Sequence, residues 1–565
     1  MGARLLPPLL YTLFALFLIW PLWQVVSVGF TSKTGGFTLH YVELIFQDPG
    51  LVQGLINAVG VAIGVTFLTI VISLPLAILG VRFQFPGSRL LSGLLLAPLI
   101  LPPFVGAIGL RLVLGRLGPL TVLMGQGNGL GIDWMGRHRF AGLLFVEALH
   151  LYPVMLLNVQ AALANIDPAL QQAAANLGAK PWTIFRRVTL PLIRPGLFAG
   201  ITLTLIWSFT ELGTPLVFQV YTITPVQIYD LITDVADNPL PYALVVVTFA
   251  VSAGLYVVGK VLLGRSIDAA TGKATVAIAP QKLHGWRAIA AASPFVVVFL
   301  LAILPHLAVI LTSLSVAGQW YRSLLPRHFT LSHYHDALTD DLALPSVLNS
   351  IRYSAAATVG AVVVGLAAAI VIVRSSHRTR WLIDALAMLP LAIPGLVLAF
   401  GYLAISIWLK HRFGARLPLW LDVQENPAVL LIIAYGARRL PYVVRSAVAG
   451  LQQCPRDLEL AAANLGAPSA TVLSRITLPL ITANIIAGAL LAFAFTMLEV
   501  SDSLILAQKE GYFPITKAIV ELSQRLGDGL YIASALGVWA MLLLALTLMA
   551  ANALLGKRLG AAFRI

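Results

Sequence analysis

The chain is poor in charge. Of its 565 residues only 11% are Asp, Glu, Lys or Arg, 59% are hydrophobic, and mean hydropathy is +0.90. A water-soluble domain carries roughly 25% charged residues, so a soluble fold is excluded and the chain is read as an all-α polytopic membrane protein. The single cysteine, Cys454, rules out an intramolecular disulfide. There is no Gly-x-x-x-x-Gly-Lys-Ser/Thr phosphate loop, no His-Glu-x-x-His, no Cys/His metal cluster and no Gly-x-Ser-x-Gly. ATP hydrolysis and other covalent chemistry are therefore not expected of this chain, and neither is a bound metal. The net charge of +14 is spread over short segments between apolar runs. That is the pattern of Lys- and Arg-rich cytoplasmic loops, not of a nucleic-acid surface.

Twelve apolar runs fall at about 8–30, 55–80, 90–115, 139–163, 196–220 and 241–264, then at about 289–316, 346–373, 382–409, 428–452, 484–507 and 529–556. The first is too long for a signal peptide and lacks a small-residue cleavage site, so it is read as a membrane helix. Alternate connecting segments carry the positive charge: Arg82 and Arg89; Lys180, Arg186, Arg187 and Arg194; Arg265, Lys273, Lys282 and Arg287; Arg374, Arg378 and Arg380; Lys557, Arg558 and Arg564. These segments are expected in the cytoplasm together with both termini. The opposite segments hold most of the acids, among them Asp234, Asp237, Asp340 and Glu425.

Two stretches nearly repeat. Gln171-Gln172-Ala173-Ala174-Ala175-Asn176-Leu177-Gly178-Ala179 returns as Glu459-Leu460-Ala461-Ala462-Ala463-Asn464-Leu465-Gly466-Ala467, at an offset of 288. With nine residues between, each glycine is followed by Val188-Thr189-Leu190-Pro191 or Ile476-Thr477-Leu478-Pro479. Pro153 matches Pro441 and Glu211 matches Glu499 at the same offset. Earlier in each half Asn57 matches Asn349, Pro98 matches Pro390, Pro102 matches Pro394 and Gly109 matches Gly401 at an offset of 292. Such a repeat outranks other signals. Six runs per copy keep the same orientation, so the halves are expected to be related by a pseudo-two-fold axis along the membrane normal. The division is 1–264, a cytoplasmic linker over 265–288, and 289–565, with the repeated cytoplasmic segments at about 164–194 and 453–482. In each, an Ala-rich helix is expected to end at Gly178 or Gly466. A second short helix should start at Pro181 or Pro468 and stop at Leu190-Pro191 or Leu478-Pro479.

Ala-Ala, three residues, Gly, nine residues, then a β-branched residue-x-Leu-Pro resembles the signature loop of type I ABC importer permeases, the inner-membrane components of binding-protein-dependent transport. Both copies keep the spacing. Gln172 and Leu460 replace the family's glutamate, with Glu459 one residue earlier. The resemblance spans nearly the whole chain. The fused two-half form is most similar to ferric-iron permeases, then to thiamine and polyamine permeases. It implies a bacterial inner-membrane protein. Two copies of a separate ABC ATPase, which holds ATP and Mg, would dock at Ala173, Ala174, Gly178, Ala179, Pro181, Leu190 and Pro191, and at Ala461, Ala462, Gly466, Ala467, Pro468, Leu478 and Pro479. A soluble binding protein would deliver substrate at the outer face; ferric iron is the first expectation, thiamine, polyamine or another small organic or phosphonate-type solute the alternatives.

Ionisable residues inside apolar runs are costly and so are candidates for function. Glu211 and Glu499 are the foremost: symmetric carboxylates on a central path would favour a cation. Alternatively each is tied to backbone or arginine and only shapes the gate. Glu147 with His150, and Arg438 with Arg439, form a second set, in which Glu147 is expected to pair with an arginine across the halves. Pro102 and Pro394 are expected to kink the third and ninth runs. A reading of another class is an ion-coupled secondary transporter using Glu211 and Glu499. It leaves unexplained why the best-matched feature lies outside the membrane.

Overall fold

A computed structural model of the chain describes residues 2–32, 35–115, 118–120, 138–236, 238–263, 280–320 and 323–555. Among them, ten helices are long and apolar enough to cross a membrane. Two of the twelve expected runs fall short for local reasons. The third is broken into Ser88–Leu94, Ala97–Ile100 and Pro103–Val113, because Pro102 lacks an N–H and sits in extended backbone. The tenth is a continuous helix, Ala428–Gln453, but carries Arg438, Arg439 and Arg445. Most of the expected linker, including Arg265 and Lys273, lies outside the described residues, as do Asp237 and the tail with Lys557, Arg558 and Arg564.

The first copy contributes α1 (Leu6–Gly29), α2 (Pro49–Arg82), α3 (Pro103–Val113), α4 (Arg139–Ala164), α5 (Pro168–Asn176), α6 (Leu190–Phe209), α7 (Thr224–Asp230) and α8 (Leu240–Leu263). The second contributes α9 (Trp286–Leu314), α10 (Ala343–Arg374), α11 (Arg380–Ala392), α12 (Gly395–Phe413), α13 (Ala428–Gln453), α14 (Arg456–Asn464), α15 (Leu478–Met497), α16 (Ile515–Gln524) and α17 (Gly529–Leu555). Helices α2, α4 and α6 form one packed trio, and α10, α13 and α15 form the other.

The first helix of each copy crosses to the other copy. Helix α1 packs on α12, and α9 packs on α3. The matched glycines are the crossing points. A Cβ on Gly401 would stand 2.7 Å from the Pro21 carbonyl oxygen, and one on Gly109 only 2.4 Å from the Val309 nitrogen. Lipid tails are as apolar as leucine, so close packing through small residues must drive such contacts. Tyr402 adds a hydrogen bond of 2.6 Å from its hydroxyl to the Phe17 carbonyl.

Segments expected on the same side do meet. The strand β1 (Phe83–Gln84) pairs in parallel with β2 (Gln281–Lys282), beside the end of α2. Arg374 donates to the Cys454 carbonyl at 3.2 Å, which joins the end of α10 to the repeated turn. At the opposite ends of these helices, Asn57 donates to the Thr222 carbonyl (2.7 Å) and its match Asn349 to the Gly511 carbonyl (3.1 Å), tying down the segments before α7 and α16.

Candidate functional site

Two places concentrate the unusual residues: a pair of protruding turns and a cavity between the halves. In each turn an Ala-rich helix ends in a Schellman motif. The Ala179 N–H donates to Ala174 and the Gly178 N–H to Ala175; Ala467 and Gly466 do the same to Ala462 and Ala463. Gly178 and Gly466 occupy the left-handed region at φ +79° and +86°, which a side chain would disfavour. Helices Pro181–Ile184 and Ser469–Val472 follow. Pro181 is the first helical residue as expected, whereas Pro468 sits one position earlier, as the cap.

Leu190-Pro191 and Leu478-Pro479 do not stop these helices. A five-residue π-helical turn, Phe185–Thr189 or Leu473–Thr477, carries the backbone directly into α6 or α15. The prolines fall in the first turn of the new helix, where the wider hydrogen-bonding register leaves no donor missing. Each turn is thus rigidly continuous with a membrane helix. Its tip presents an uncovered leucine, Leu177 at 88% exposure and Leu465 at 89%. Sequence reading passed over these two, although both lie inside the repeat.

A latch ties each turn to a neighbouring helix end. Gln171 accepts from Arg82 (3.0 Å) and donates to the Thr189 hydroxyl (3.4 Å). At the matching positions, Glu459 pairs with Arg374 (3.0 Å) and accepts from the Thr477 hydroxyl (3.0 Å). The carboxylate that makes the ion pair is therefore Glu459. Gln172 and Leu460, at the family's glutamate position, are exposed.

The cavity, about 280 Å³, is lined by both halves. Glu147, Glu211, Glu499, Arg438, Pro102 and Pro394 all face it. Glu211 and Glu499 are not within continuous helices. They stand at the breaks after α6 and α15, immediately before the short helices Gly213–Val217 and Ser501–Leu506. Pro102 and Pro394 mark the breaks opposite, before α3 and α12. The break at Pro98–Pro102 is served by His150, whose Nδ1 lies 2.8 Å from the Pro98 carbonyl oxygen.

Glu147 has no arginine partner, contrary to expectation. Its Oε2 accepts from the Ser208 hydroxyl of the same half at 2.5 Å, and its buried Oε1 has no hydrogen-bond partner. Glu211 accepts from the Thr214 N–H (3.2 Å) and hydroxyl (3.3 Å). The arginines serve their own half. Arg438 forks onto Asp502 (2.9 and 3.0 Å) and reaches Glu499 at 3.5 Å, while Arg439 pairs with Glu499. Gly395 makes room for this: a Cβ there would lie 2.5 Å from the Arg438 guanidinium nitrogens. Asp502 has no acidic match in the first half, where Thr214 stands. Asp502 is fully buried and not part of the lining, where three carboxyls and two guanidiniums face the cavity. Among the described residues no group of three or more His, Cys, Asp or Glu is placed to hold a metal ion.

A helical membrane protein with a repeated sequence, a largely apolar cavity that holds charged side chains from both halves, and a turn projecting from each half has the features of a transport subunit. The sequence profile of the binding-protein-dependent transport system inner membrane component family matches residues 69–268 and again 361–561. The chain belongs to that family and is an ABC importer permease, a multi-pass inner-membrane transport subunit, not an enzyme. The family implies an ATPase and a binding protein as partners.

The chain is 25% identical over 475 residues to a putative ferric transport system permease of Haemophilus influenzae, covering 82% of this chain and 70% of that one. It is also 25% identical over 495 residues to the ferric transport system permease of Actinobacillus pleuropneumoniae, covering 86% and 69%. To a molybdenum transport system permease of H. influenzae it is 35% identical over 169 residues, covering 29% of this chain and 71% of that one.

Proposed function

We propose that this permease passes a metal cation, ferric iron, from a soluble binding protein at the outer face into the cytoplasm. The observation that carries the reading is the carboxyl excess in the cavity lining, Glu147, Glu211 and Glu499 against Arg438 and Arg439. In a low-dielectric surrounding an unbalanced carboxylate attracts a cation and repels an anion strongly. An oxyanion cargo would meet that repulsion. The similarity over more than four-fifths of the chain to ferric permeases supports the same cargo. An organic cation such as thiamine or a polyamine satisfies the same charge, and a cavity of about 280 Å³ admits a small one.

The driving force comes from two copies of a separate ATPase, which holds the ATP and Mg. One copy docks at Ala173, Ala174, Gly178, Ala179, Pro181, Leu190 and Pro191, the other at Ala461, Ala462, Gly466, Ala467, Pro468, Leu478 and Pro479. Both docks and both termini face the cytoplasm. Twelve membrane crossings form two six-helix halves, 1–264 and 289–565, around a pseudo-two-fold axis. ATP closure draws the two docks together and opens the cavity outward; hydrolysis resets it. The axis runs through the cavity, past Glu211 and Glu499.

The test is purification of the tagged chain in mild detergent from its native membrane, with quantitation of what accompanies it, followed by uptake of radiolabelled ferric iron by the reconstituted complex. Two ATPase copies per chain and ATP-dependent iron uptake are expected. A single-chain preparation that transports with an ion gradient alone would overturn the coupling scheme. ATP-driven uptake of an organic cation, but not iron, would overturn the cargo.

A further inference from the structure

The cavity is lopsided. Both of its guanidiniums, Arg438 and Arg439, belong to the second half; 288 residues earlier the matching positions are His150 and Leu151. Asp502 is likewise matched by Thr214. The second half therefore neutralises its own acids. Arg438 spans Asp502 and Glu499, Arg439 holds Glu499, and the Arg439 guanidinium lies over the Phe495 ring at 5.7 Å. The first half holds Glu147 and Glu211 with hydroxyl and amide donors only: Ser208 on one, Thr214 on the other.

Glu147 is the telling residue. It is 2% exposed and lines the cavity, and Oε1 has no hydrogen-bond partner. A buried carboxylate oxygen left unpaired costs free energy unless something else pairs with it. Glu211 lines the same cavity, and its carboxyl accepts from Thr214. Two carboxyls on one cavity with no arginine or lysine bonded to either offer oxygen ligands to a cation.

From this we infer that the cargo cation is received on one side of the cavity, by Glu147 and Glu211, and that Glu499 does not contact it. Glu499 and Asp502 instead hold α13 against the break after α15 through Arg438 and Arg439. This rests on the cationic-cargo reading but divides the carboxylates differently from a symmetric path. A hard, oxygen-preferring cation of high charge fits such a pair of carboxylates. Glu147 and Glu211 then act as binding residues, and Glu499 as a positioning residue.

The probe is terbium(III), a hard trivalent ion whose emission is sensitised by nearby tryptophan; Trp207 lines the same cavity. The purified full-length chain is titrated and its emission recorded. Glu147→Gln and Glu211→Gln are each expected to weaken terbium binding about tenfold or more, the loss of one charged contact. Glu147→Asp should retain most of the affinity. Glu499→Gln should leave the affinity within about twofold but lower Tm, because it strips a partner from two buried guanidiniums. Trp207→Phe should remove much of the sensitised emission.

If Glu499→Gln weakens terbium as much as Glu147→Gln, or if none of the three changes it, the one-sided site is overturned. Should Glu147→Gln fail to fold, Glu211→Gln and Glu147→Asp decide the matter alone. The two readings fail separately. Binding that depends on Glu147 and Glu211 in a complex that imports an organic cation but no iron would overturn the ferric cargo and keep the one-sided site. Iron uptake unaffected by Glu147→Gln and Glu211→Gln would do the reverse.

Discussion

Tyr229 and Lys517 touch, and they are the same position in the two copies. The Lys517 ammonium donates to the Tyr229 hydroxyl at 2.7 Å and lies 5.0 Å from the centre of its ring, across 288 residues of sequence. A residue can meet its own repeat partner only at the axis relating the copies. On the proposed pseudo-two-fold arrangement the pair would stand on the line that Glu211 and Glu499 flank, as a closure at the end away from the repeated turns.

Linking the pair should lock the closure. With Tyr229→Cys and Lys517→Cys together, a short thiol cross-linker is expected to form in the nucleotide-free complex and to abolish uptake until reduced. Either single variant should transport in the presence of the reagent. Full uptake by the cross-linked double variant would remove these residues from the gate. The native Cys454 is buried and far along the chain, at the repeated turn.

The left-handed glycines at the turns permit a sharper test. Gly178→Pro and Gly466→Pro cannot adopt φ +79° or +86°, since proline holds φ near −65°. Each variant should insert and remain monodisperse, yet lose most of the co-purified ATPase and of the uptake. Normal uptake in both would displace the docking site from these turns.

The two latches differ by one charge, and that difference is measurable. Glu459→Ala leaves Arg374 without its carboxylate in a site where both partners are less than a fifth exposed, a loss of roughly 1–3 kcal/mol. Tm should fall, and coupled ATP hydrolysis with it. Gln171→Glu in the first copy should create the equivalent ion pair with Arg82 and leave uptake intact or raise it. Equal tolerance of Glu459→Ala and of alanine at an exposed turn residue such as Gln172 would show that the latch carries no load.

At the crossing points, Gly109→Ala and Gly401→Ala push a methyl into backbone at 2.4 and 2.7 Å. Overpacking of this kind costs about 1–3 kcal/mol, so Tm should drop in each, measured in detergent. Gly60→Ala, with nothing near the added carbon, is the control and should leave Tm unchanged.

At the end of the molecule bearing Asn57 and Asn349, acid should loosen one tie. Burial alone would raise the Asp340 carboxyl, but the Arg525 hydrogen bond and charge, with the Leu342 and Ala343 N–H groups, bring it below its ordinary value of 3.8. A lowered carboxyl stabilises the folded state above its unfolded pKa, and the contribution disappears as pH falls through the lowered value. The Tm gap between wild type and Asp340→Asn should therefore be full at neutral pH and close only in strong acid. A gap that persists unchanged in strong acid would assign it to packing.

Much of this was readable beforehand. The repeat and its glycine-ended turns follow from spacing, and the cost of ionisable groups in apolar sequence singles out Glu147, Glu211, Glu499 and Arg438, all of which line the cavity. Pairing was not readable. Glu147 takes Ser208 rather than an arginine because partner choice depends on how α4 and α6 are rotated against each other, and hydropathy carries no such information. The continuity through Leu190-Pro191 was hidden for a related reason. Proline reads as a stop, yet a π-helical turn before it removes the conflict. The exchange of first helices left only the matched Gly109 and Gly401 as a trace, and an isolated glycine in an apolar run has many uses.

That exchange has a consequence for how the protein is made. Helix α1 leaves the ribosome before α12, its seat, which is synthesised in the second copy; α3 likewise waits for α9. Each copy therefore lacks one packing partner until the other has been made. Until translation is well into the second copy, the contact faces at Gly109 and Pro21 stand open to lipid or to an insertion chaperone. Joining the copies in one polypeptide guarantees that the missing helices arrive in the same membrane, at the same place, within one round of synthesis.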